Sequence, residues 1–385
     1  MNELEELRKK IDKIDRELLP LFLERMEVCS QVADYKRKAG MAVLDSKREA
    51  EVLAEKVKLA ENTDMTAEVY EFFNSIMSIS RVRQTRELTG EKNRARIEDI
   101  ISKKATSKHN PTVCCFGSHG AYSEEAAVKF FGEDTKRFFA KTFEDVFLSL
   151  SKGEADYGVL PIENSSTGAI AEVVDLISKY GYYIVGETYV SIRHCLMGVK
   201  GAKLEDIRTV YSHEQGILQS GEFLNSLGGV TCEAHESTAL SAKLVADKND
   251  KTVAAIAGRR NAEIYSLDIL AEDINSFDLN TTRFAIISRN FEFDENCDKI
   301  SISFTLPHES GQLHRLLASF AQGGLNLLKL ESRPIPQKPF EYMFFADYTG
   351  NLYDSNVIAV TNSGIEGTME FNLLGNYKSH ISEGK

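Results

Sequence analysis

The sequence predicts a multidomain chain with an all-α segment, a central α/β segment and a C-terminal α+β segment. Roughly the first 90 residues keep an apolar repeat at three- and four-residue steps, which is typical of amphipathic helices. After Pro111, short β-rich runs alternate with helical stretches, as in α/β layers. From Lys299 the pattern changes to a ferredoxin-like βαββαβ order. We place the three domains at residues 1–90, 111–290 and 298–385.

Composition narrows the class of protein. The 385 residues carry 46 Lys and Arg against 58 Asp and Glu, a net charge of −12, which argues against nucleic-acid or anionic-membrane binding. No apolar run approaches the roughly 20 residues that cross a bilayer. The first residues hold neither a basic nor an apolar stretch, so we expect no secretory signal and a cytoplasmic location.

Cysteine and histidine spacings predict neither disulfides nor a metal site. The six cysteines are scattered without a CxxC pair, and the histidines form no HxxxH or HExxH pattern. We therefore expect reduced thiols and no metal or cofactor.

The first helix is unusually long. Its repeat runs from Leu4 to Gly40, which at 1.5 Å per residue spans about 54 Å. One fold-back cannot bury such a helix, so its length predicts intertwining with a second copy. Pro20 predicts a bend within it. Two further helices are expected at 46–60 and 67–88.

The charged stretch Thr89–Asn110 is expected to be a linker. Its basic run Lys92–Arg96 fits either a solvated linker face or a nucleic-acid patch, and the acidic balance favours the solvated face.

Polar side chains recur at helical spacing in this first segment. Arg25 and Lys36 are eleven residues apart, so they lie within about 20° of each other on one helix face. Two such cations beside an apolar seam suit a small dianionic ligand. Ordinary surface charges on amphipathic helices explain the same spacing equally well.

Several segments of this region resemble the all-helical chorismate mutases: Leu7–Asp15, Glu24–Arg25, Val32–Lys36, Val43–Glu49 and Ser80–Gln84. The resemblance implies an intertwined dimer that rearranges chorismate to prephenate. It also implies roles for eight residues. Arg25 and Arg48 would hold the substrate, with Arg8 reaching in from the partner chain; Lys36 and Gln84 would bind the ether oxygen; Glu49 and Asp45 would bind the hydroxyl side; and Ser80 would bind a carboxylate. A protein that only binds chorismate would carry the same residues.

The central segment holds the alternating elements. Strands are expected at Thr112–Phe116, Tyr157–Pro161, Tyr182–Tyr189, Thr252–Ala257 and Arg283–Ser288, around a mainly parallel sheet. Helices are expected at Ser123–Phe131, Phe143–Lys152, Ala169–Lys179, Gly216–Leu227 and Thr238–Ala246. Four short polar signals stand next to these elements: Gly117–Ser123, Pro161–Ser165, Tyr211–His213 and Thr281–Phe284. Each alone also fits a turn, a helix cap or a sheet edge.

In this order and spacing, the four signals resemble prephenate dehydratase over roughly Val113–Ser288. The resemblance implies two α/β lobes of the periplasmic-binding-protein type, with the site in the cleft between them. Thr282 would lie nearest the leaving hydroxyl. Other implied site residues are Glu163, Asn164, Ser212 and Gln219, with Arg283 helping to hold the substrate. His213 is a candidate general acid, although a structural or solvent-facing histidine fits as well.

The C-terminal segment resembles the ACT domain of prephenate dehydratases, in which phenylalanine binds between two copies. The implied effector residues are Glu331, Ser332, Arg333 and Pro334, together with Gly311, Gln312 and Leu313. The family usually has Gly-Ala-Leu where this chain has Gly311–Leu313, so Gln312 is expected to weaken phenylalanine binding or to alter the effector. A dimerisation module without effector is the alternative.

The whole chain therefore resembles the bifunctional chorismate mutase–prephenate dehydratases of phenylalanine biosynthesis. The implied ligands are chorismate, prephenate and the effector L-phenylalanine, and the implied assembly is a homodimer or homotetramer. Two alternatives remain open: a dehydratase with an inactive helical dimerisation arm, and a non-catalytic amino-acid sensor.

Overall fold

The computed structural model describes residues 3–41, 45–88, 94–276, 280–306, 311–335, 338, 341–366, 368 and 370–380. The chain divides into two compact units: Met1–Lys103 with Lys299–Leu373, and Lys104–Asp298 with Leu374–Lys385. The helical segment and most of the ferredoxin-like segment thus belong to one unit, and the α/β segment belongs to the other together with the last residues of the chain.

Helices form the N-terminal part of the first unit, and the apolar repeat predicted three of them correctly. Pro20 lies inside a helix that continues unbroken past it. The third helix packs against the first two. The bounds are α1 (Glu3–Ala39), α2 (Ser46–Leu59), α3 (Thr66–Leu88) and α4 (Arg94–Ser102).

The linker predicted after α3 is wrong in part, because α4 lies within it. Ile97, Ile100 and Ile101 recur at three- and four-residue steps, and Ile97 is fully buried. Three apolar side chains were enough to hold a short helix among charged neighbours. In the basic run, Lys92 and Asn93 lie outside the described residues.

The second unit is built on two sheets. The strands are β1 (Thr112–Phe116), β2 (Lys136–Ala140), β3 (Tyr157–Asn164), β4 (Gly168–Ala169), β5 (Tyr183–Ser191), β6 (His194–Gly198), β7 (Thr209–Ser212), β8 (Thr231–Ala234), β9 (Val253–Gly258), β10 (Asp268–Ala271) and β11 (Thr281–Ser288). The helices are α5 (Tyr122–Phe131), α6 (Phe143–Lys152), α7 (Ala171–Tyr180), α8 (Glu214–Gln219), α9 (Gly221–Leu227), α10 (Thr238–Lys248) and α11 (Arg260–Tyr265).

Both sheets are mixed, so the expectation of a mainly parallel sheet is wrong. The strand orders are β2-β1-β3-β11-β5, with β4 beside β3, and β10-β6-β9-β7-β8. Strands β2, β1 and β3 run parallel, as do β9, β7 and β8, while the remaining pairings are antiparallel. The chain passes from the first sheet to the second between β5 and β6 and returns between β10 and β11. This return makes β11 antiparallel to its neighbours.

Each sheet has its own apolar core. Val113, Val159 and Ile286 belong to a buried cluster on the first sheet. Met197 and Ala255 belong to one on the second. The two sheets therefore form two lobes, as the sequence predicted.

From Lys299 onward the chain has the predicted βαββαβ order. Its elements are β12 (Lys299–Thr305), α12 (Gln312–Gln322), β13 (Leu327–Pro334), β14 (Tyr342–Thr349), α13 (Ser355–Glu366) and β15 (Glu370–Tyr377). The strand order is β13-β14-β12-β15, and α12 and α13 also contact α3. Within the described ranges, no helix is both long and apolar enough to cross a bilayer.

Candidate active sites

A hydrogen bond between predicted site residues joins α1 and α3 in the first unit. Arg25 Nη1 donates to Ser80 Oγ at 2.6 Å. Ser80 is buried and Arg25 is half-buried. One turn farther along α3, Gln84 is also buried, and its Oε1 has no hydrogen-bond partner among the described residues. A guanidinium, a hydroxyl and an amide of the predicted set therefore lie in one region.

Glu49 pairs with a residue that the sequence analysis missed. Arg81 Nη1 donates to Glu49 Oε2 at 2.5 Å, and the two side chains are only 14% and 20% exposed. This pair ties α2 to α3 beside Ser80. Opposite charges at the two positions were visible in the sequence, but helical periodicity alone could not place α2 against α3.

The other predicted residues of this segment have different surroundings. Asp45 is the N-cap of α2 and accepts from the Arg48 backbone N–H at 3.0 Å. The Arg48 guanidinium is exposed, and Lys36 is half-buried. Arg8 is exposed and lies 17 residues before Arg25 on α1, about 25 Å along the helix. Arg8 is thus remote from the Arg25–Ser80 pair of its own chain.

The second unit contains a cavity of about 270 Å³. Asn164, Gln219 and Thr282 line it, and so does His213. Its wall also includes residues at the ends of β1, β3, β6 and β11 and at the starts of α5, α8 and α10. At the end of β1, Gly117 takes a φ of +99°, which a residue with a Cβ rarely adopts. The predicted polar signals thus converge from several loops.

Strand register explains which predicted residues reach the cavity. Thr282 on β11 lies opposite Asn164 on β3, and the next pair is Arg283 with Glu163. Since successive side chains on a strand point to opposite faces, the two pairs face opposite ways.

Arg283 and Glu163 are absent from the described cavity lining and lie on the opposite face of the sheet, so their places in the active site stay predictions. Arg283 Nε donates to Glu187 Oε2 at 2.7 Å, Nη2 donates to the Tyr377 hydroxyl at 2.8 Å, and Nη1 lies 3.4 Å from Glu163 Oε2. Alternation along β11 could have predicted this, because Thr282 and Arg283 are adjacent.

Ser212 is also absent from the cavity lining among the described residues. It is fully buried, and its Oγ donates to the Ile256 carbonyl at 2.9 Å. A Cβ at Gly216 would lie 2.5 Å from this oxygen. The placement of Ser212 fits support for the start of α8 better than substrate contact.

Amide side chains link the predicted residues into one network. Asn164 Nδ2 donates to Thr282 Oγ1 at 2.9 Å and to Asn280 Oδ1 at 2.8 Å. Asn280 Nδ2 in turn donates to Gln219 Oε1 at 2.9 Å. His194 Nε2 lies 3.1 Å from the same Gln219 oxygen. The sequence analysis missed Asn280 and His194. The closeness of Asn280 to the Thr-Arg-Phe signal was a usable hint, whereas nothing singled out His194.

The two histidines in the cavity wall differ in their environment. His213 is exposed, and its Nδ1 caps α8 by accepting from the Gln215 N–H at 3.2 Å. His194 is 2% exposed, and burial lowers its pKa from the ordinary 6.5. His194 is therefore neutral near pH 7.

Among the described lining residues there is no Lys or Arg, and Glu236 is the one carboxylate. The starts of α5 and α10 line the cavity through Tyr122, Ser123 and Thr238, and helix starts favour anions. Within the described part of the chain, no group of three or more His, Cys, Asp or Glu side chains is arranged to hold a metal.

The predicted effector residues lie on α12 and β13. Gly311 precedes α12 with a φ of +80°, and Gln312 and Leu313 begin the helix. On β13, Arg333 Nε donates to Glu331 Oε1 at 2.8 Å, and its guanidinium stacks over the Phe345 ring at 5.2 Å. The other two predicted effector residues on β13 are Ser332 and Pro334, and both are exposed.

The helical segment carries a guanidinium–hydroxyl pair and the two-lobed α/β body carries an amide- and hydroxyl-lined cavity, so the chain presents two candidate sites. The chorismate mutase type II family profile matches residues 7–85, and the prephenate dehydratase profile matches residues 113–292.

Similar proteins cover nearly all of the chain. The bifunctional chorismate mutase/prephenate dehydratase of Aquifex aeolicus (strain VF5) is 30% identical over 378 residues, 98% of each chain. The prephenate dehydratase of Arthrobacter aurescens, crystallised with L-Phe, has a TM-score of 0.63 and 28% identity, covering 70% of this chain and 90% of that one. GqqA, described as a novel type of quorum quenching acylases, has a TM-score of 0.63 and 26% identity, covering 70% of this chain and 98% of that one. The chain belongs to the bifunctional chorismate mutase/prephenate dehydratase family.

Proposed function

We propose that the helical segment converts chorismate to prephenate and that the cavity of the second unit converts prephenate to phenylpyruvate. The observation that carries this proposal is the convergence of Asn164, Gln219 and Thr282 on one cavity, in a chain whose family has both activities. Neither reaction calls for a metal or a cofactor.

In the dehydratase step, prephenate loses its ring carboxylate as carbon dioxide and its ring hydroxyl as water. The electron pair of the broken C–C bond enters the ring, and the departing hydroxide takes up one proton. The Thr282 oxygen already accepts from Asn164 Nδ2, so the Thr282 O–H is oriented to donate a hydrogen bond to the departing oxygen, and the proton that completes the water molecule comes from solvent. Aromatisation supplies much of the driving force. Because the described wall holds no Lys or Arg, the starts of α5 and α10 are the groups we assign to the substrate carboxylates.

The mutase step is an intramolecular rearrangement, so it needs a held conformer and no nucleophile. Arg25 and Arg48, with Arg8 of the partner subunit, bind the carboxylates. Lys36 and Gln84 stabilise negative charge that grows on the ether oxygen. In the remaining roles, Glu49 and Asp45 bind the hydroxyl side and Ser80 binds a carboxylate. The buried Gln84 amide beside the Arg25–Ser80 pair supports this assignment.

The assembly that we propose is a homodimer through α1, with a homotetramer as the larger alternative. Only Met26 and Ala33 of this 37-residue helix are buried. Many of its large apolar side chains are exposed, including Leu4, Leu7, Ile11, Ile14, Leu18 and Leu21. Intertwining two copies would cover this face and bring in Arg8.

We also propose that the ferredoxin-like part is an ACT domain and that L-phenylalanine binds there. The βαββαβ order, the Glu331–Pro334 segment and the L-Phe in the Arthrobacter aurescens structure support this. A cytoplasmic location remains our proposal from the sequence.

The test is a chorismate assay of the full chain that follows both products, with and without added phenylalanine. We expect prephenate and then phenylpyruvate to form, and phenylalanine to inhibit the second step. Lys36→Ala should abolish prephenate formation while added prephenate is still consumed. An unchanged mutase rate in Lys36→Ala would support the inactive-arm alternative, and no phenylpyruvate from prephenate would support the sensor.

A further inference from the structure

We propose that His194 is a positioning residue for the dehydratase step and that it acts through Gln219. The inference rests on the proposed dehydratase site and adds a residue to it. His194 is buried in the cavity wall, with its Nε2 3.1 Å from Gln219 Oε1.

The orientation of every amide in the network follows from fixed backbone donors. The backbone N–H groups of Ser166 and Thr167 lie 3.0 and 3.2 Å from one Asn164 side-chain atom, which must therefore be its oxygen. Asn164 Nδ2 then donates to Asn280, so the Asn280 atom that it meets is Oδ1. The remaining Asn280 atom, Nδ2, donates to Gln219, whose accepting atom is therefore Oε1.

This order fixes the His194 tautomer. An amide oxygen can only accept a hydrogen bond, so His194 must carry a proton on Nε2. Its Nδ1 faces the Tyr122 hydroxyl at 3.2 Å, and that hydroxyl also lies 2.9 Å from the Arg193 carbonyl oxygen. In the neutral Nε2–H imidazole Nδ1 can only accept, so the single Tyr122 O–H proton is shared between Nδ1 and the Arg193 carbonyl oxygen, with the shorter contact to the carbonyl.

Two donors on the Gln219 oxygen leave its amide N–H groups for other partners. Its Nε2 lies 3.5 Å from Ser166 Oγ, a long contact, and Gln219 lines the cavity. The Gln219 N–H and the Thr282 O–H then offer two donors to an oxygen-rich substrate. Without His194, one donor to the Gln219 oxygen is lost, and the amide can turn so that its oxygen faces an anionic substrate.

The imidazole works in its neutral form. Burial keeps the His194 pKa below its ordinary 6.5. The other titratable side chains among the described lining residues are Tyr122 on α5, His213 before α8 and Glu236 before α10. A neutral N–H donor requires no proton transfer, which separates this role from general acid catalysis.

The experiment compares His194→Leu with His194→Gln in the full chain. Gln can present an N–H near the position of the imidazole Nε2, whereas Leu cannot. We expect dehydratase kcat to fall about 10- to 100-fold in His194→Leu and to recover to within a few-fold of wild type in His194→Gln. Mutase turnover of the same samples should not change, and their circular dichroism spectra report whether the second unit is folded.

A double-mutant cycle distinguishes an effect that passes through Gln219 from an effect of packing alone. If His194 acts through Gln219, adding His194→Leu to Gln219→Met should cost little further kcat. Multiplicative losses in the cycle, or full dehydratase activity in His194→Leu, would overturn the proposal. A third result would also overturn the proposal: His194→Gln is as slow as His194→Leu, and the wild-type kcat falls as pH rises through 6.5. That pattern would indicate that a protonated imidazole acts as an acid. Thr282→Val is the reference variant: if it keeps full activity, the proposed site itself is wrong, whatever His194 does.

Discussion

Asn164 and Thr282 face each other on neighbouring antiparallel strands, and Asn164 Nδ2 donates to Thr282 Oγ1 at 2.9 Å. A threonine is a weak acid, so it cannot supply a full proton near neutral pH. Because its oxygen already accepts a hydrogen bond, however, its own O–H is oriented to donate. The Asn164–Thr282 pair therefore orients the Thr282 O–H as a hydrogen-bond donor at the cavity surface.

Replacing Thr282 tests this arrangement directly. Thr282→Val keeps the shape and removes the donor, and we expect dehydratase kcat to fall about 10²- to 10³-fold with mutase turnover unchanged. Thr282→Ser keeps a hydroxyl and should retain most of the activity. Steady-state assays with prephenate and with chorismate measure both effects. A serine variant as slow as the valine variant would show that the methyl group, and not the donor, matters.

Stability should depend on pH through His194. The pKa of His194 lies below its ordinary value of 6.5 in the folded chain. At a pH between the folded-state pKa and 6.5, the unfolded chain therefore binds more protons than the folded chain. This contribution to stability is present above pH 6.5 and is lost as pH falls below it. We expect the thermal midpoint to drop more between pH 7.5 and 5.5 in wild type than in His194→Gln. Equal pH slopes in the two proteins would contradict the assignment.

The structure brings predicted residues together where a motif lies at a strand end. Asn164 and Thr282 lie within such motifs on β3 and β11, whereas Gln219 lies in none of the four polar signals and follows only from the resemblance to prephenate dehydratase. Arg283 lies on the opposite face from Thr282, because alternation on β11 sends adjacent side chains to opposite faces. His194 could not be found, since its importance depends on β6 meeting α8, a contact between residues that are distant in sequence.

The fold shows the same division between local and non-local information. Long periodic helices such as α1 and α3 were predicted to within two residues. The short strands β7, β8 and β10 were missed because four residues hold too little periodicity to detect. The antiparallel placement of β11 depends on the return from the second sheet, which no local pattern encodes.

Phenylalanine control should respond to Gln312. If the start of α12 forms half of an effector site, the Gln312 side chain takes space that the family usually leaves to a methyl group. We expect Gln312→Ala to lower the phenylalanine concentration that half-inhibits the dehydratase, with unchanged kcat in its absence. Inhibition curves for both proteins measure this. Identical curves would exclude a role for Gln312, and no inhibition in either would remove the effector proposal.

Arg283 and Glu187 form a buried ion pair, with side chains 7% and 1% exposed. Removing one partner leaves the other buried side chain without the opposite charge of this ion pair. We expect Arg283→Met to lower the free energy of unfolding by about 3 to 5 kcal/mol, as seen for broken buried pairs. Removing both charges in Arg283→Met/Glu187→Met should restore part of that loss, because neither buried charge of this pair remains.

Urea denaturation of both single variants and the double variant gives the coupling energy. Steady-state kinetics of the double variant shows whether Arg283 supports the fold or binds the substrate. Arg283 lies on the face away from the cavity, so the KM for prephenate in the double variant should stay within a few-fold of wild type. A KM raised a hundredfold in a folded double variant would indicate that Arg283 contacts the substrate. Additive losses of stability would mean that Glu187 finds sufficient partners without it, among them the His380 N–H at 3.2 Å.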